Sequence, residues 1–429
     1  MLNKTLNNIF KGDKVIWMVF FFLCMISIVE VYSASSELTY KKGNYLSPII
    51  YHCAILAVGL FFMIITLNIK CKYFKLFTPV FLGIAFFSLI FVFIAGHSTN
   101  GAQRWISILG MQFQPSEIAK GAMILAEAQI LSAMQTERGA DKKAFGYILI
   151  VSAFMVLPIA VENLSTAVLL CMVIVMMMII GRVPKYQIGK LLGIVTLLVA
   201  LAFACIMIIG TDKSKETAKT NLEEQVDQNE KATTIEKVFH RADTWKSRII
   251  KFISTEEVAP QDYDLDKNAQ VAHSNIAIAS SNIIGKGPGN SVERDFLPQA
   301  FSDYIYAIII EEMGITGAVV VVFLYIMLLF RTGRIANRCE NNFPAFLAMG
   351  LALMLATQAI FNMLVAVGLA PVTGQPLPLI SKGGTSTIIN CAYIGVILSV
   401  SRSAKKRVDE KDDTTPSDME VANNAAISE

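Results

Sequence analysis

Charge is scarce in this chain. Only 17% of its 429 residues are Asp, Glu, Lys or Arg, while 54% are hydrophobic. A soluble domain of this size carries about 25% charge, so the composition indicates a polytopic membrane protein. The net charge of +3 is too small to point to a nucleic-acid partner. Histidine is rare as well, and His52, His97, His240 and His273 have no partner at metal-ligand spacing. The seven cysteines form no CxxC pair and none lies between residues 211 and 300. Neither a disulfide framework nor a metal cluster is therefore supported. The glycines show no Walker or Rossmann spacing.

What the chain does have is long apolar runs. Runs able to span the roughly 30 Å hydrocarbon core occur at about 15–34, 48–68, 76–95, 115–134, 146–162, 164–181, 189–210, 302–330, 344–366 and 384–401. The pair around Glu162-Asn163 can also be read as one broken segment. The first run follows Lys4, Lys11 and Lys14 and ends in Ser33-Ala34-Ser35. That ending resembles a signal-peptide cleavage site, but the apolar part exceeds the usual 7–15 residues, so an uncleaved anchor is expected. With the N-terminus inside, twenty Lys and Arg fall on cytoplasmic segments and four on short outer loops. This follows the positive-inside rule.

The expected fold class is an all-α polytopic membrane protein of ten transmembrane helices with both ends cytoplasmic. Residues 1–14 form the cytoplasmic N-terminus and 15–210 carry helices one to seven. A large extracytoplasmic loop spans 211–300, helices eight to ten lie in 301–402, and 403–429 form a tail expected to be disordered. Within the loop, 212–237 is highly charged, whereas 268–284 regains an amphipathic pattern suited to an interfacial helix. Gly285-Lys-Gly-Pro-Gly-Asn290 follows as a glycine-rich turn.

Phe296-Leu-Pro-Gln-Ala-Phe-Ser-Asp303 leads from this loop into the apolar run beginning near Ser302. Asp303 is expected in the first helical turn, with Glu311 within about 80° of it and Glu312 on the other side. A carboxylate at membrane depth marks a site; a plain helix N-cap is the competing reading. Glu117, Lys120 and Glu127 share one face of the fourth run, where an ion pair within the bundle and a substrate contact are equally open. Gln358 and Asn362 stack at i, i+4, which reads as interhelical hydrogen-bond glue.

Five ordered stretches carry a resemblance: Asn100-Gly-Ala-Gln-Arg-Trp-Ile106, Gln114-Pro-Ser-Glu-Ile-Ala-Lys120, Gly285-Lys-Gly287, Leu297 to Ala307 with Glu311-Glu-Met-Gly314, and Pro371 to Ser386. Together they resemble the SEDS family of shape, elongation, division and sporulation proteins (FtsW, RodA, SpoVE), over roughly residues 15–402. The resemblance implies ten helices and polymerisation of lipid II into β-1,4 glycan strands at the outer face of the cytoplasmic membrane. The 374–386 form is more similar to the division-type branch, which implies a septal role. Asp303 aligns with the acidic residue that the family requires and is the catalytic candidate, acting as base.

The local chemistry agrees with that implication, because a pyrophosphate leaving group needs one base and cations but no second acid. Arg104, Lys120, Arg248, Lys286 and Lys382 are the candidate cations, and Glu117 joins them as a substrate-binding candidate. No metal ligands and no cofactor are identified, with a divalent cation such as magnesium left open. The implied partners are lipid II, a class B penicillin-binding transpeptidase and divisome membrane proteins. Gln299, Phe301, Ser302 and Lys382 depart from the family's usual Glu, His, Thr and Tyr. A lipid II transporter and a non-catalytic scaffold for a transpeptidase remain as alternatives.

Overall fold

The computed structural model describes residues 11–34, 47–95, 97–99, 102–108, 111–209, 265–297 and 300–414. Each apolar run of the sequence coincides with a helix. In chain order these are α1 (Lys14–Ala34), α2 (Ser47–Asn68), α3 (Cys71–Ala95), α4 (Pro115–Ala133), α5 (Lys142–Glu162), α6 (Leu164–Ile180) and α7 (Lys185–Ile209). After α8 (Leu265–Ala279) come α9 (Ile305–Ala336), α10 (Asn342–Ala366) and α11 (Thr385–Thr414). Among the described residues, seven helices are long and apolar enough to cross a membrane. The outward faces of α2, α3 and α5 expose Phe61, Phe87, Leu76 and Leu157, as a lipid-bathed bundle does.

The helix ends follow from local chemistry. Asp13 caps α1 by accepting from the Val15 and Ile16 amides at 2.9 and 3.3 Å. Its other oxygen takes Arg331 of α9 at 2.7 Å, which ties the start of α1 to the last turns of α9. Asn163 ends α5 and caps α6, its side chain accepting from the Thr166 amide. Glu162-Asn163 is thus a break between two helices. Helix α11 continues to Thr414, past the boundary at residue 402 and into the tail expected to be disordered.

Burial orders the bundle. The apolar windows of α10 and α11 are 78% and 72% buried, against 22% for α3. Helix α11 packs directly on α2, where a Cβ on Gly395 would run into the Met63 carbonyl. Small residues allow such close backbone approach where dispersion, not hydrophobicity, drives packing.

Three short strands, β1 (His97–Thr99), β2 (Ala102–Ile108) and β3 (Met111–Phe113), form an antiparallel meander between α3 and α4. A smaller hairpin of β4 (Gln135–Thr136) and β5 (Gly139–Ala140) links α4 to α5. Neither the meander nor the hairpin is visible in the sequence, because strands of two or three residues carry no readable alternation and Ala102-Gln-Arg-Trp-Ile-Ser-Ile108 does not alternate strictly.

Helix α9 is interrupted. Gly314 has φ 70° and ψ −169°, and the backbone of Gly285, itself at φ 83°, crosses it. A Cβ on Gly314 would run into the Ile283 carbonyl oxygen, and one on Gly285 into the Gly314 nitrogen. Only glycine fits both positions. The freed carbonyls of Glu311 and Glu312 accept the amides of Lys286 and Gly287 at 3.0 and 2.8 Å.

Candidate active site

The site is built on the turn before α9. Phe301, Ser302, Asp303 and Tyr304 form a turn and the helix begins at Ile305, so Asp303 is not in the first helical turn as its sequence position suggests. Nor is it the N-cap. Tyr304 occupies that position and makes no side-chain cap hydrogen bond.

The physical reason for the late start lies in the carbonyls. Those of Phe301, Ser302 and Asp303 are taken, one after another, by the Lys382 amide at 3.0 Å, the Ser381 hydroxyl at 2.6 Å and the Asn362 side-chain amide at 2.8 Å. The first carbonyl used by α9 itself is that of Tyr304, which accepts from Ala307 at 2.9 Å. The turn carrying Asp303 is thereby fixed at three consecutive points.

Two of these three donors come from the non-helical segment between α10 and α11. Non-helical backbone at membrane depth must be enclosed by protein and have its polar groups satisfied. Here Gln375, Leu377, Leu379, Ile380 and Ser381 are all buried. The Gln375 carbonyl accepts from Asn362 at 2.8 Å and that of Pro376 from Gln358 at 3.0 Å. The Pro378 carbonyl accepts from the Tyr325 hydroxyl, and that of Ile380 from Ser27 at 2.6 Å. Ser381 also receives the Leu377 amide at 2.8 Å. Side chains of α1, α9 and α10 therefore hold this segment as a rigid post.

Asp303 faces the post. Its Oδ1 accepts from the Ser302 hydroxyl at 3.1 Å, and its Oδ2 lies 3.5 Å from where a Cβ on Gly374 would be. Asp303 is half-buried. Lys382 leaves the post beside it, with Nζ 5.0 Å from the centre of the Phe301 ring, a cation–π distance.

The other sequence candidates divide. Lys120 is fully buried on α4, 2.8 Å from Glu117 Oε1 and 2.8 Å from Gln358 Oε1 on α10. Glu117 also accepts from Ser386 at 3.1 Å, so this ion pair joins α4, α10 and α11. Lys120 and Glu117 thus form an ion pair within the bundle, one residue removed from the post through Gln358. Glu127 lies deeper on α4, fully buried, and neither of its oxygens has a hydrogen-bond partner.

Lys286 is engaged with Glu311 at 2.6 Å and with Ser280 at 3.0 Å. Glu311 further accepts from the Ser291 hydroxyl and the Val292 amide, and Glu312 from the Ser33 hydroxyl and the Gly289 and Ser291 amides. The two glutamates thus latch the 285–293 loop onto the broken helix α9 and onto α1. Arg104 lies on β2, its side chain outside the described atoms. Arg248 and the charged stretch 212–237 lie outside the described residues.

Asn362 is a further departure from expectation. Gln358 does bond across helices, but Asn362 bonds the backbone of two loops. Ser381, Gly374 and Gln375 are not singled out by the sequence as site residues. Their signal is that they lie in the Pro371 to Ser386 stretch of the resemblance, where glycine and proline punctuate a segment flanked by apolar helices.

A lipid-facing helical bundle with an acid on a clamped turn, beside an enclosed non-helical segment, defines a polytopic membrane protein with a polar site built between its helices. The chain matches the cell cycle protein family of FtsW, RodA and SpoVE over residues 13–406, and it belongs to that family. It is 31% identical over 396 residues to a probable peptidoglycan glycosyltransferase FtsW of Geobacter sp. (strain M18), covering 91% of this chain and 96% of that one. The corresponding protein of Coxiella burnetii is 27% identical over 395 residues, with 90% and 95% covered.

Two solved structures share the fold. A chain of a peptidoglycan synthase complex that coordinates polymerization and crosslinking superposes with a TM-score of 0.67 at 21% identity, covering 92% of this chain and 98% of that one. The rod shape determining protein RodA of Thermus thermophilus gives 0.62 at 19% identity, with 92% and 99% covered.

Proposed function

We propose that this protein is a peptidoglycan glycosyltransferase that polymerises lipid II into β-1,4 glycan strands at the outer face of the cytoplasmic membrane, during septal wall synthesis. Membership of the family and the names of its FtsW relatives support the activity. The observation that carries the chemistry is the clamped turn, which holds one carboxylate, Asp303, where the loop meets the membrane helix. In the reaction the acceptor sugar hydroxyl attacks the donor anomeric carbon. Asp303 takes the hydroxyl proton as the new C–O bond forms, and the old C–O bond breaks with its electron pair leaving on the lipid pyrophosphate. One in-line displacement inverts the anomeric centre. Lys382 and Arg104 are assigned to the pyrophosphate, with Arg248 as a third candidate. Lys120 and Glu117 support the site through Gln358 and the post.

Ten membrane spans with both termini cytoplasmic, a large outer loop between α7 and α9, and α8 lying at the outer leaflet complete the reading. A class B penicillin-binding transpeptidase is the expected partner. The purified protein, with and without that partner, should convert lipid II into glycan polymer. Movement of lipid II across liposomes without polymer would favour transport. Partner binding without either would favour a scaffold. Cysteines at Val292 and Tyr186, both exposed, test orientation: the first should react with an impermeant thiol reagent in spheroplasts and the second should not.

A further inference from the structure

We propose that Asn362 is a positioning residue for glycan polymerisation, setting the gap between Asp303 and Gly374; this rests on the polymerase reading above. Asn362 is 1% exposed, one turn before the end of α10. The two hydrogens of its amide go to the Asp303 carbonyl and the Gln375 carbonyl, each at 2.8 Å. Because both partners are acceptors only, the NH2 end must face them, which settles the orientation of the amide.

Those two carbonyls belong to the two segments that face each other across the Asp303 carboxylate. Gly374 precedes Gln375, and its Cβ position lies 3.5 Å from Asp303 Oδ2. One planar group therefore fixes both walls of the gap at once, with no rotatable bond between its two contacts. The other end of the amide shows that packing alone does not account for it. Asn362 Oδ1 is buried without a hydrogen-bond partner, a costly state that an apolar residue of similar size avoids. What an apolar residue cannot do is donate to both carbonyls. General base catalysis depends on the alignment of base and hydroxyl, so loosening one wall reaches the rate without removing any reacting group.

The test compares the parent with Asn362→Leu and Asn362→Asp, which keep approximate volume but lose the double donor. With purified protein and lipid II, kcat should fall by about 10–100-fold with KM little changed. A second readout is independent of activity. In a cysteine-free background carrying Asp303→Cys, the rate of reaction with a small thiol reagent should change several-fold when Asn362→Leu is added. If Asn362→Leu fails to accumulate, Asn362→Asp carries both measurements. An unchanged kcat overturns the proposal, and so does an unchanged thiol reactivity, which would mark any loss of rate as general destabilisation. A parent protein that makes no polymer would instead refute the polymerase reading, and the thiol reactivity would still decide whether Asn362 sets the gap.

Discussion

Asp303 and Gly374 face each other across a narrow gap: Oδ2 of the acid lies 3.5 Å from where a Cβ on the glycine would stand, and the glycine has φ +66°. A methyl group there makes an ordinary van der Waals contact, so it does not clash. It does cover one oxygen of the carboxylate and place an L-residue in the left-handed region, which costs roughly 1–2 kcal/mol. Gly374→Ala should therefore accumulate as a folded protein, slightly less stable, with its polymerisation rate lowered by about tenfold or more through misplacement of the base. Parent-like turnover by a folded Gly374→Ala protein would show that the glycine face of Asp303 is not where the hydroxyl approaches.

The Glu117–Lys120 pair separates a structural charge from a working one. Both residues are at most 2% exposed and lie 2.8 Å apart. Removing one partner of a buried pair leaves an uncompensated charge and costs about 3–5 kcal/mol, whereas removing both is often close to neutral. Lys120→Met and Glu117→Gln should each lower the thermal midpoint strongly. The combined variant should recover most of the stability and much of the polymer yield. A stable double variant that makes no polymer would assign the Lys120 charge to the substrate after all.

The sequence makes some of this legible and not the rest, for physical reasons. Apolar runs announce helices because the bilayer demands an unbroken internal hydrogen-bond ladder, and the Glu162-Asn163 break is visible as two polar residues in an apolar stretch. Asp303 stands out for the cost of its charge. Its clamp does not. The Asn362, Ser381 and Lys382 contacts to the turn join residues 59 to 81 positions apart through backbone carbonyls, and such contacts leave no periodic trace. The same clamp delays the start of α9, so the helix boundary is misplaced in the sequence for the reason that the site is unseen. Glu311 and Glu312 are noticeable as buried acids, but nothing local says that the glycine-rich turn about 25 residues upstream folds back to cover them.

That latch has its own consequence for stability. Glu312 accepts from the Ser33 hydroxyl and from the amides of Gly289 and Ser291 at 2.9 and 3.2 Å. Glu312→Gln keeps the shape but turns an NH2 toward one of these donors, leaving a buried donor unpaired at a cost of about 1–3 kcal/mol. The thermal midpoint should fall, and protease cleavage within 285–293 should accelerate. Gly314→Ala should be worse, since its Cβ would run into the backbone of Ile283 and Gly285. Parent-like protease resistance in Glu312→Gln would mean that the loop is held by Glu311 and the glycine crossing alone.

Asp303→Asn is the substitution on which the enzymatic assignment turns. Asn is nearly isosteric and still accepts from the Ser302 hydroxyl, and the three carbonyl anchors of the turn involve backbone only on the 301–303 side. No cap is lost, because Tyr304 holds the N-cap position without a side-chain bond. Folding, lipid II binding and partner binding should therefore persist. An amide cannot take a proton near neutral pH, so polymerisation should fall by about 10²–10⁴-fold, the usual worth of a general base. Asp303→Glu should recover little, since the added methylene moves the carboxylate by about 1 Å against Gly374 in a step that depends on alignment. Initial rates of glycan formation by the two variants, set against the parent at matched lipid II occupancy, decide the matter; an Asp303→Asn protein that polymerises at close to the parent rate would leave Asp303 a structural residue of the turn.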